Sequence, residues 1–238
     1  MPTQMAFADK ILQFNDMLSH TSLDLPPGFR AINPFAGKQE KQVGRLATVF
    51  YRKYYDDTCT RRLILGSSPA RRGTAVTGIP FEDAGYLQEE TGILLDGASS
   101  MKSSTSFIYD VMNKYGGRRR FYSDFCMSFV CPIGLVKTNL KGNEVNCNYY
   151  ENKELEQSLH SFIVSSLHLQ LGLGVDASVC YCIGSGENFR YLSKVNDEYH
   201  LFDAIQPLEH PRFIMQYNSE RKDAFIAKYV NALSRAHT

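Results

Sequence analysis

The sequence predicts an α/β fold in three layers, with helices on both faces of a mostly parallel central sheet of about four strands. Two observations lead to this. Short apolar runs of strand length alternate with longer stretches whose apolar residues recur at helical spacing. Each short run ends in glycine, proline or a polar turn. Because parallel neighbours need a crossover connection, usually a helix, this alternation favours a parallel sheet.

The predicted strands are the apolar runs at residues 63–65, 125–131, 178–183 and 199–205, the last being more mixed in polarity. Amphipathic helices are predicted over residues 6–18, 43–54, 104–115, 155–171 and 225–233. With 238 residues and no repeat or long linker, we expect one domain over residues 1–238. Residues 1–60 would form a helical part packed on the sheet.

Composition excludes several classes of protein. Lys and Arg total 26 against 25 Asp and Glu, so a nucleic-acid site must be a local patch rather than a global basic field. No stretch approaches the roughly 18 consecutive apolar residues of a membrane span, and no signal peptide is evident, so we expect a cytoplasmic protein without membrane contact.

The six cysteines do not have the spacing of a metal site, since no pair is separated by two residues. Four of them lie inside apolar runs and are predicted to be buried, reduced thiols: Cys126, Cys131, Cys180 and Cys182. We therefore expect no metal and no cofactor.

Ligands of open α/β sheets bind beyond the carboxyl ends of the strands, so the loops there are the candidate site. The loop after the first strand, residues 66–81, is dense in small residues that let a backbone approach a ligand. Its Ser67 and Ser68 hydroxyls can hold a water or an oxygen. The loop after the last strand contains His210, a residue type that donates or carries protons near neutral pH.

The pattern Gly66-x-x-Pro69-Ala-x-x-Gly73-x-x-x-Thr77-Gly-Ile-Pro-Phe81, together with His210-Pro211, resembles the two signature motifs of the uracil-DNA glycosylase superfamily. The nearest branch is that of the single-strand-selective monofunctional uracil-DNA glycosylases and their bacterial relatives. The resemblance spans about residues 62–215. It implies the fold of that superfamily and hydrolysis of the N-glycosidic bond of uracil, or of a related deaminated or oxidised base, in base excision repair.

By this resemblance Phe81 is a stacking wall for an extruded base, and His210 donates a hydrogen bond to pyrimidine O2. By the same resemblance, the turn at residues 67–70 positions the water that attacks C1′ of the sugar. Ser68 is therefore expected to be the second catalytic residue. Ser68 stands where relatives often carry Asn. The full set of expected base-binding residues is Gly66, Ser67, Pro69, Ala70, Phe81, Ser128 and Asn148.

Ser128 and Asn148 are included because the family reads the uracil edge with an Asn in an Asn-x-Cys-Pro pattern. This chain has Phe129-Val-Cys-Pro132 instead. Either residue is a candidate substitute. Glu82 or Asp83 are alternative ligands for the water.

DNA contacts are expected in three places. The backbone of Gly184, Ser185 and Gly186 ends a strand and opens a helix, where N–H groups can receive a phosphate. Lys102, Ser103 and Ser104 precede another helix and would either do the same or only cap it. Arg212 and Phe213 form the wedge that fills the vacated stack, or they anchor their loop in the core.

The sequence leaves two other functions open. In the first, the chain has the glycosylase fold and binds damaged DNA, single-stranded or duplex, without cutting it. Alternatively, Ser68, Asp203 and His210 follow the order of a serine hydrolase triad, although Pro69 lacks the backbone N–H that the oxyanion hole needs after the nucleophile. We expect a monomer whose partner is DNA.

Overall fold

The computed structural model of the protein describes residues 4–97 and 102–234. The α-helices in these ranges are α1 (Phe7–Ser19), α2 (Glu40–Tyr55), α3 (Thr74–Thr77), α4 (Ala84–Thr91), α5 (Lys102–Tyr115), α6 (Arg118–Asp124), α7 (Lys153–Leu171), α8 (Glu187–Tyr199), α9 (Pro211–Tyr217) and α10 (Lys222–Ser234). The strands are β1 (Phe29–Ile32), β2 (Arg62–Gly66), β3 (Phe125–Phe129), β4 (Gly134–Thr138), β5 (Glu144–Cys147), β6 (Cys180–Ile183) and β7 (Ile205–Leu208).

The central sheet has four parallel strands in the order β3-β2-β6-β7. Strand β3 lies on one side of β2, and the next parallel strand along the chain, β6, lies on the other side. The direction in which strands are added to the sheet therefore reverses between β2 and β6. The crevice at such a reversal, outside the carboxyl ends of the strands, is where α/β folds bind ligands. The sheet thus confirms the predicted α/β class and places the loops after β2 and β7 at one edge.

A second, antiparallel sheet has the order β1-β4-β5. The hairpin between β4 and β5 turns at Asn139, whose side-chain oxygen accepts the backbone N–H groups of Lys141 and Asn143. Sequence analysis missed this sheet. It carries residues 146–148 to the mouth of the crevice.

Helices form the outer layers, with α1 packed on α2 and α5 packed on α9 and α10. One continuous cluster of buried side chains includes residues from α1 through α10. The fully buried Arg61 links the N-terminal helices to the sheet: its guanidinium donates to the backbone oxygen of Tyr122 at 2.6 Å and lies 4.8 Å from the ring centroids of both Phe7 and Tyr55. Asp57 neutralises its charge at 2.8 Å.

One detail differs from the sequence predictions. The last strand is β7, residues 205–208, whereas residue 199 ends α8 and the segment between them is irregular. Arg118, at the start of α6, has a side chain that is only 13% exposed and pairs with Glu82. The four cysteines predicted to be buried are buried and free. Among the described residues, no helix combines the length and apolarity needed to cross a bilayer.

Candidate active site

A cleft of about 500 Å³ opens at the carboxyl ends of the parallel strands. Segments from β2, β3, the β5 hairpin and α9 contribute its walls. The lining consists of Gly66, Ser67, Ser68, Pro69, Ala70, Gly73, Thr74, Phe81, Glu82, Asp83, Thr105, Phe129, Asn146, Cys147, Asn148, Tyr150, His210, Pro211, Arg212, Phe213, Gln216 and Tyr217. Both predicted loops therefore face one cavity.

The loop after β2 is held by backbone hydrogen bonds to the end of β3. Val130 N–H donates to the Gly66 oxygen at 2.8 Å, and Cys131 N–H donates to the Ser67 oxygen at 2.9 Å. These bonds extend the β2–β3 pairing by two residues. The Ser67 and Ser68 side chains consequently project from a backbone that is fixed to the sheet.

Phe81 forms the apolar wall of the cleft. Its ring stacks on Phe129, with centroids 5.2 Å apart and planes 16° from parallel. A Cβ on Gly66 would lie 2.6 Å from Phe81 Cζ, so glycine at this position is what allows the rings to pack over the strand end. Phe81 also has a φ of 61°, an unusual value for a residue with a side chain. Such strain persists only where the surroundings hold the backbone.

A buried ionic network follows Phe81 directly. The Glu82 carboxylate accepts hydrogen bonds from the Tyr109 hydroxyl at 2.9 Å, from the Tyr122 hydroxyl, and from Arg118 Nη1 at 3.1 Å. It also forms an ion pair with Arg118 Nη2 at 2.9 Å. Burial raises the pKa of Glu82, and the Arg118 charge and the two hydroxyls oppose that shift. These hydrogen bonds and the ion pair therefore hold the carboxylate in place. Glu82 thus anchors the Phe81 loop.

Two carboxamides of the described cleft lining contact the loop after β2. Asn146 Oδ1 accepts the Arg71 backbone N–H at 2.8 Å, and the Asn148 side chain contacts the two serines. Asn148 Oδ1 accepts from Ser67 Oγ at 2.9 Å and from Ser68 Oγ at 3.4 Å. Its Nδ2 donates to Glu151 Oε1 at 3.2 Å. Lys137 donates to the other Glu151 oxygen at 2.7 Å. A chain of polar contacts therefore runs from the antiparallel sheet to both serine hydroxyls.

His210 lies at the opposite wall and begins α9. Its Nδ1 accepts the Arg212 backbone N–H at 3.0 Å, so the imidazole is the N-cap of this helix. The ring remains accessible from the cleft, yet the protein around it removes much of its hydration. This desolvation, with the nearby charge of Arg212, lowers the pKa of His210 to about 4. The ring is neutral at pH 7, and because Nδ1 accepts, its proton resides on Nε2.

Most of the predicted site residues meet in the cleft. These are Gly66, Ser67, Ser68, Pro69, Ala70, Phe81, Asn148, His210, Arg212 and Phe213. Ser128 lies outside the cleft lining, in the wall of a small separate cavity beside α1, whereas its neighbour Phe129 lines both cavities.

The other predicted DNA contacts lie around the same edge. Gly184, Ser185 and Gly186 connect β6 to α8 outside the cleft lining, and Gly184 has a φ of 106°. Lys102, Ser103 and Ser104 begin α5, but their side chains lie outside the described residues.

Several cleft residues were missed by sequence reasoning, notably Thr105, Tyr150 and Tyr217. Tyr217 is 70% exposed and lies beside Phe213, with ring centroids 6.0 Å apart. Aromatic residues four apart in a short segment after the His210 loop were the available signal.

The geometry does not assemble a serine hydrolase triad. His210 Nδ1 already accepts a hydrogen bond, so it has no proton to donate to an acid. Asp203 precedes β7 and His210 follows it, so they lie at opposite ends of a four-residue strand that spans about 13 Å. Ser68 Oγ contacts Asn148 instead. In the described parts of the chain, no three His, Cys, Asp or Glu side chains are grouped to hold a metal ion.

Comparison with known proteins agrees with the fold. The model of the family described as "Uracil DNA glycosylase superfamily" matches residues 52–234. Among solved structures, the chain is similar to the crystal structure of wild-type Pedobacter heparinus SMUG2, with 44% sequence identity and a TM-score of 0.90 over 98% of this chain and 99% of that chain. No curated protein matches the chain. The match to the family model confirms the resemblance inferred from the two motifs, and the chain belongs to the uracil DNA glycosylase superfamily.

Proposed function

We propose that this protein is a monofunctional DNA glycosylase that hydrolyses the N-glycosidic bond of uracil, or of a related deaminated or oxidised base, in DNA. Membership of the uracil DNA glycosylase superfamily supports DNA as the partner and uracil-DNA glycosylase activity in general. The observation that carries the finer proposal is the convergence of an aromatic ring, a side-chain amide and a neutral imidazole on one cleft. These groups belong to Phe81, Asn148 and His210.

Base binding begins with extrusion of the nucleotide, which costs a few kcal/mol of stacking and pairing in a duplex. The Phe81 ring replaces part of the lost stacking. Its own packing on Phe129 and the Glu82 network hold the ring in place before the base arrives. A preorganised wall binds with less loss of entropy than a mobile one.

His210 stabilises the departing base. As the bond from C1′ to the base breaks, negative charge develops on the base and its O2 oxygen. The Nε2–H group donates to that oxygen, and a preorganised donor aimed at a forming anion stabilises the transition state. Because the imidazole is neutral, it donates a hydrogen bond without having to transfer its proton.

The turn at residues 67–70 positions the attacking water. The Ser67 and Ser68 hydroxyls can orient a water, but neither is a strong base near neutral pH. The Asn148 amide, which contacts both hydroxyls, faces the base. Catalysis therefore depends chiefly on stabilisation of the leaving group, and hence on His210.

The proposed activity is monofunctional because a strand-cutting glycosylase needs an amine nucleophile for a Schiff base. The described cleft lining contains no lysine. Water is then the nucleophile, and the product is an abasic site with an intact strand.

DNA is proposed to lie across the mouth of the cleft. Arg212 and the 48%-exposed Phe213 would enter the vacated stack, while the backbone of residues 184–186 and the start of α5 would approach phosphates. With a formal net charge of only +1, binding would depend on these local contacts. We propose that the protein acts as a cytoplasmic monomer, in line with its buried free thiols.

A second candidate function is recognition of damaged DNA without cleavage, and the serine at position 68 favours it. A turnover assay separates the two. Purified protein in excess over a single-stranded oligonucleotide with one uracil should release free uracil at the same rate with and without chelator. The same oligonucleotide with thymine in place of uracil is the control. Tight binding to the uracil strand with no release would instead establish the binding function.

A further inference from the structure

We propose that Glu151 determines which pyrimidine the cleft takes. By holding the side-chain amide of Asn148 in one orientation, it makes the site complementary to the edge of uracil and not to that of cytosine. The inference rests on the proposed function, in which Asn148 faces the base.

An amide that can rotate is a poor discriminator. Its oxygen accepts and its NH₂ donates, and a half-turn about the last side-chain bond exchanges the two. Uracil presents a carbonyl oxygen at C4 beside a donating N3–H. Cytosine presents a donating amino group beside an accepting N3. A freely rotating Asn148 would therefore pair with either base.

Glu151 breaks this symmetry. Its Oε1 lies 3.2 Å from Asn148 Nδ2 and also accepts the Asn148 backbone N–H at 2.9 Å. A carboxylate only accepts hydrogen bonds. The reversed amide would place its oxygen against a charged acceptor at the same distance and lose the donated bond, so it is strongly disfavoured.

The serines on the other side of the amide do not make this choice. The hydroxyls of Ser67 and Ser68 donate to Asn148 Oδ1 as the amide stands. A hydroxyl both donates and accepts and can rotate to suit its partner. Ser67 and Ser68 would therefore tolerate either orientation, and the decision falls to the carboxylate.

Lys137 forms an ion pair with this carboxylate. It donates to Glu151 Oε2 at 2.7 Å. Partial burial alone would raise the pKa of Glu151, but the hydrogen bonds from Lys137 and Asn148 outweigh burial and lower it. Glu151 is thus a positioning residue that acts on the base through Asn148.

The test measures binding, so that it does not depend on cleavage. Single strands would carry one 2′-fluoro-arabino nucleotide, which resists hydrolysis, with either uracil or cytosine as its base. Fluorescence anisotropy then gives the affinity ratio between the two strands. We expect the protein to prefer uracil and the Glu151→Leu variant to lose at least about tenfold of this ratio, chiefly by gaining affinity for cytosine.

Lys137→Met is the matched control, because it removes the ion-pair partner but keeps both acceptor oxygens of Glu151. Its affinity ratio between the uracil and cytosine strands should stay close to that of the parent. Since Glu151 also binds the Asn148 backbone, thermal melting checks that each variant is folded. If Glu151→Leu does not fold, the isosteric Glu151→Gln decides: a neutral group disfavours the reversed amide less, so the ratio should fall at least about threefold.

Three results would overturn the inference: no preference in the parent protein, an unchanged ratio in the folded Glu151 variant, or equal loss of affinity for both bases. Failure of the proposed function is a different result, namely absence of uracil release from the cleavable strand. The two failures are therefore seen in separate measurements.

Discussion

His210 both caps α9 and faces the cleft, so replacing it has two effects that can be separated. In His210→Ala, the Arg212 N–H loses its acceptor. Loss of an N-cap costs about 1 kcal/mol, which in a chain of this length lowers Tm by about 2–4 °C. Loss of a preorganised donor to a developing anion costs roughly 2.7–4 kcal/mol of transition-state stabilisation, or about 10²–10³ in rate.

His210→Asn is the matched variant. Asparagine is a good N-cap, so its oxygen should accept the Arg212 N–H and restore Tm. Its shorter side chain does not reach the position of the imidazole Nε2, so the excision rate should remain low. Single-turnover release of uracil, melting curves, and affinity for an uncleavable analogue would be measured for both variants.

The reasoning fails if His210→Asn recovers the rate together with Tm, because the histidine would then act only as a cap. It also fails if affinity for the uncleavable analogue falls as much as the rate. In that case His210 would contribute equally to ground state and transition state, and the leaving-group role would be wrong.

Three further predictions follow from the same cleft. The pKa of His210 is about 4, which is below its unfolded value, so its contribution to folding stability is present above pH 6.5 and is lost as pH falls towards 4. The single-turnover rate should therefore show no titration of this group near pH 6.5. A change in the rate with an apparent pKa near 6.5 would contradict the neutral imidazole. Arg212→Ala and Phe213→Ala should impair excision from paired duplex far more than from single strands, whereas equal impairment with a lower Tm would assign both to packing. Gly66→Ala should lower the free energy of unfolding by about 1–3 kcal/mol, because the added Cβ displaces the Phe81 ring. The same displacement should weaken binding of strands that contain uracil. A variant with the Tm and affinity of the parent would show that the ring does not pack against Gly66.

The parallel sheet was predictable because three of its strands are almost entirely buried. The inner strands β2 and β6 and the edge strand β3 are almost continuously apolar, which is the pattern expected of strands covered on both faces. β7 was misplaced since it is a half-buried edge strand that contains Gln206 and Pro207. Proline is tolerated at an edge, but it hides the strand pattern from sequence reasoning.

The antiparallel sheet was not predictable in the same way. β1 and β5 have four residues each and are largely exposed or half-buried, so neither shows a clear period. β1 pairs with β4 across more than a hundred residues, with Phe29 opposite Lys137. Only the folded chain reveals that this pairing delivers Asn148 to the cleft.

The candidate site was partly predictable for a chemical reason. Residues proposed to contact the ligand directly, such as Phe81 and His210, occur in loops of recognisable composition. The residues that hold the Phe81 loop in place have no such pattern. Glu82 and Arg118 are 36 positions apart and look like ordinary surface charges in the sequence. The proton position on His210 likewise follows from a hydrogen bond within α9 and not from residue type.

The hairpin of β4 and β5 belongs to a sheet separate from the one that carries the His210 loop. Along β5, the one fully buried residue is Cys147, while Glu144 and Asn146 are exposed. Substitutions on this strand therefore disturb little of the core and can alter the side chains presented to a base. Under the proposed function, this hairpin is a part of the cleft wall whose side chains can be exchanged for a different base while the core of the parallel sheet stays the same.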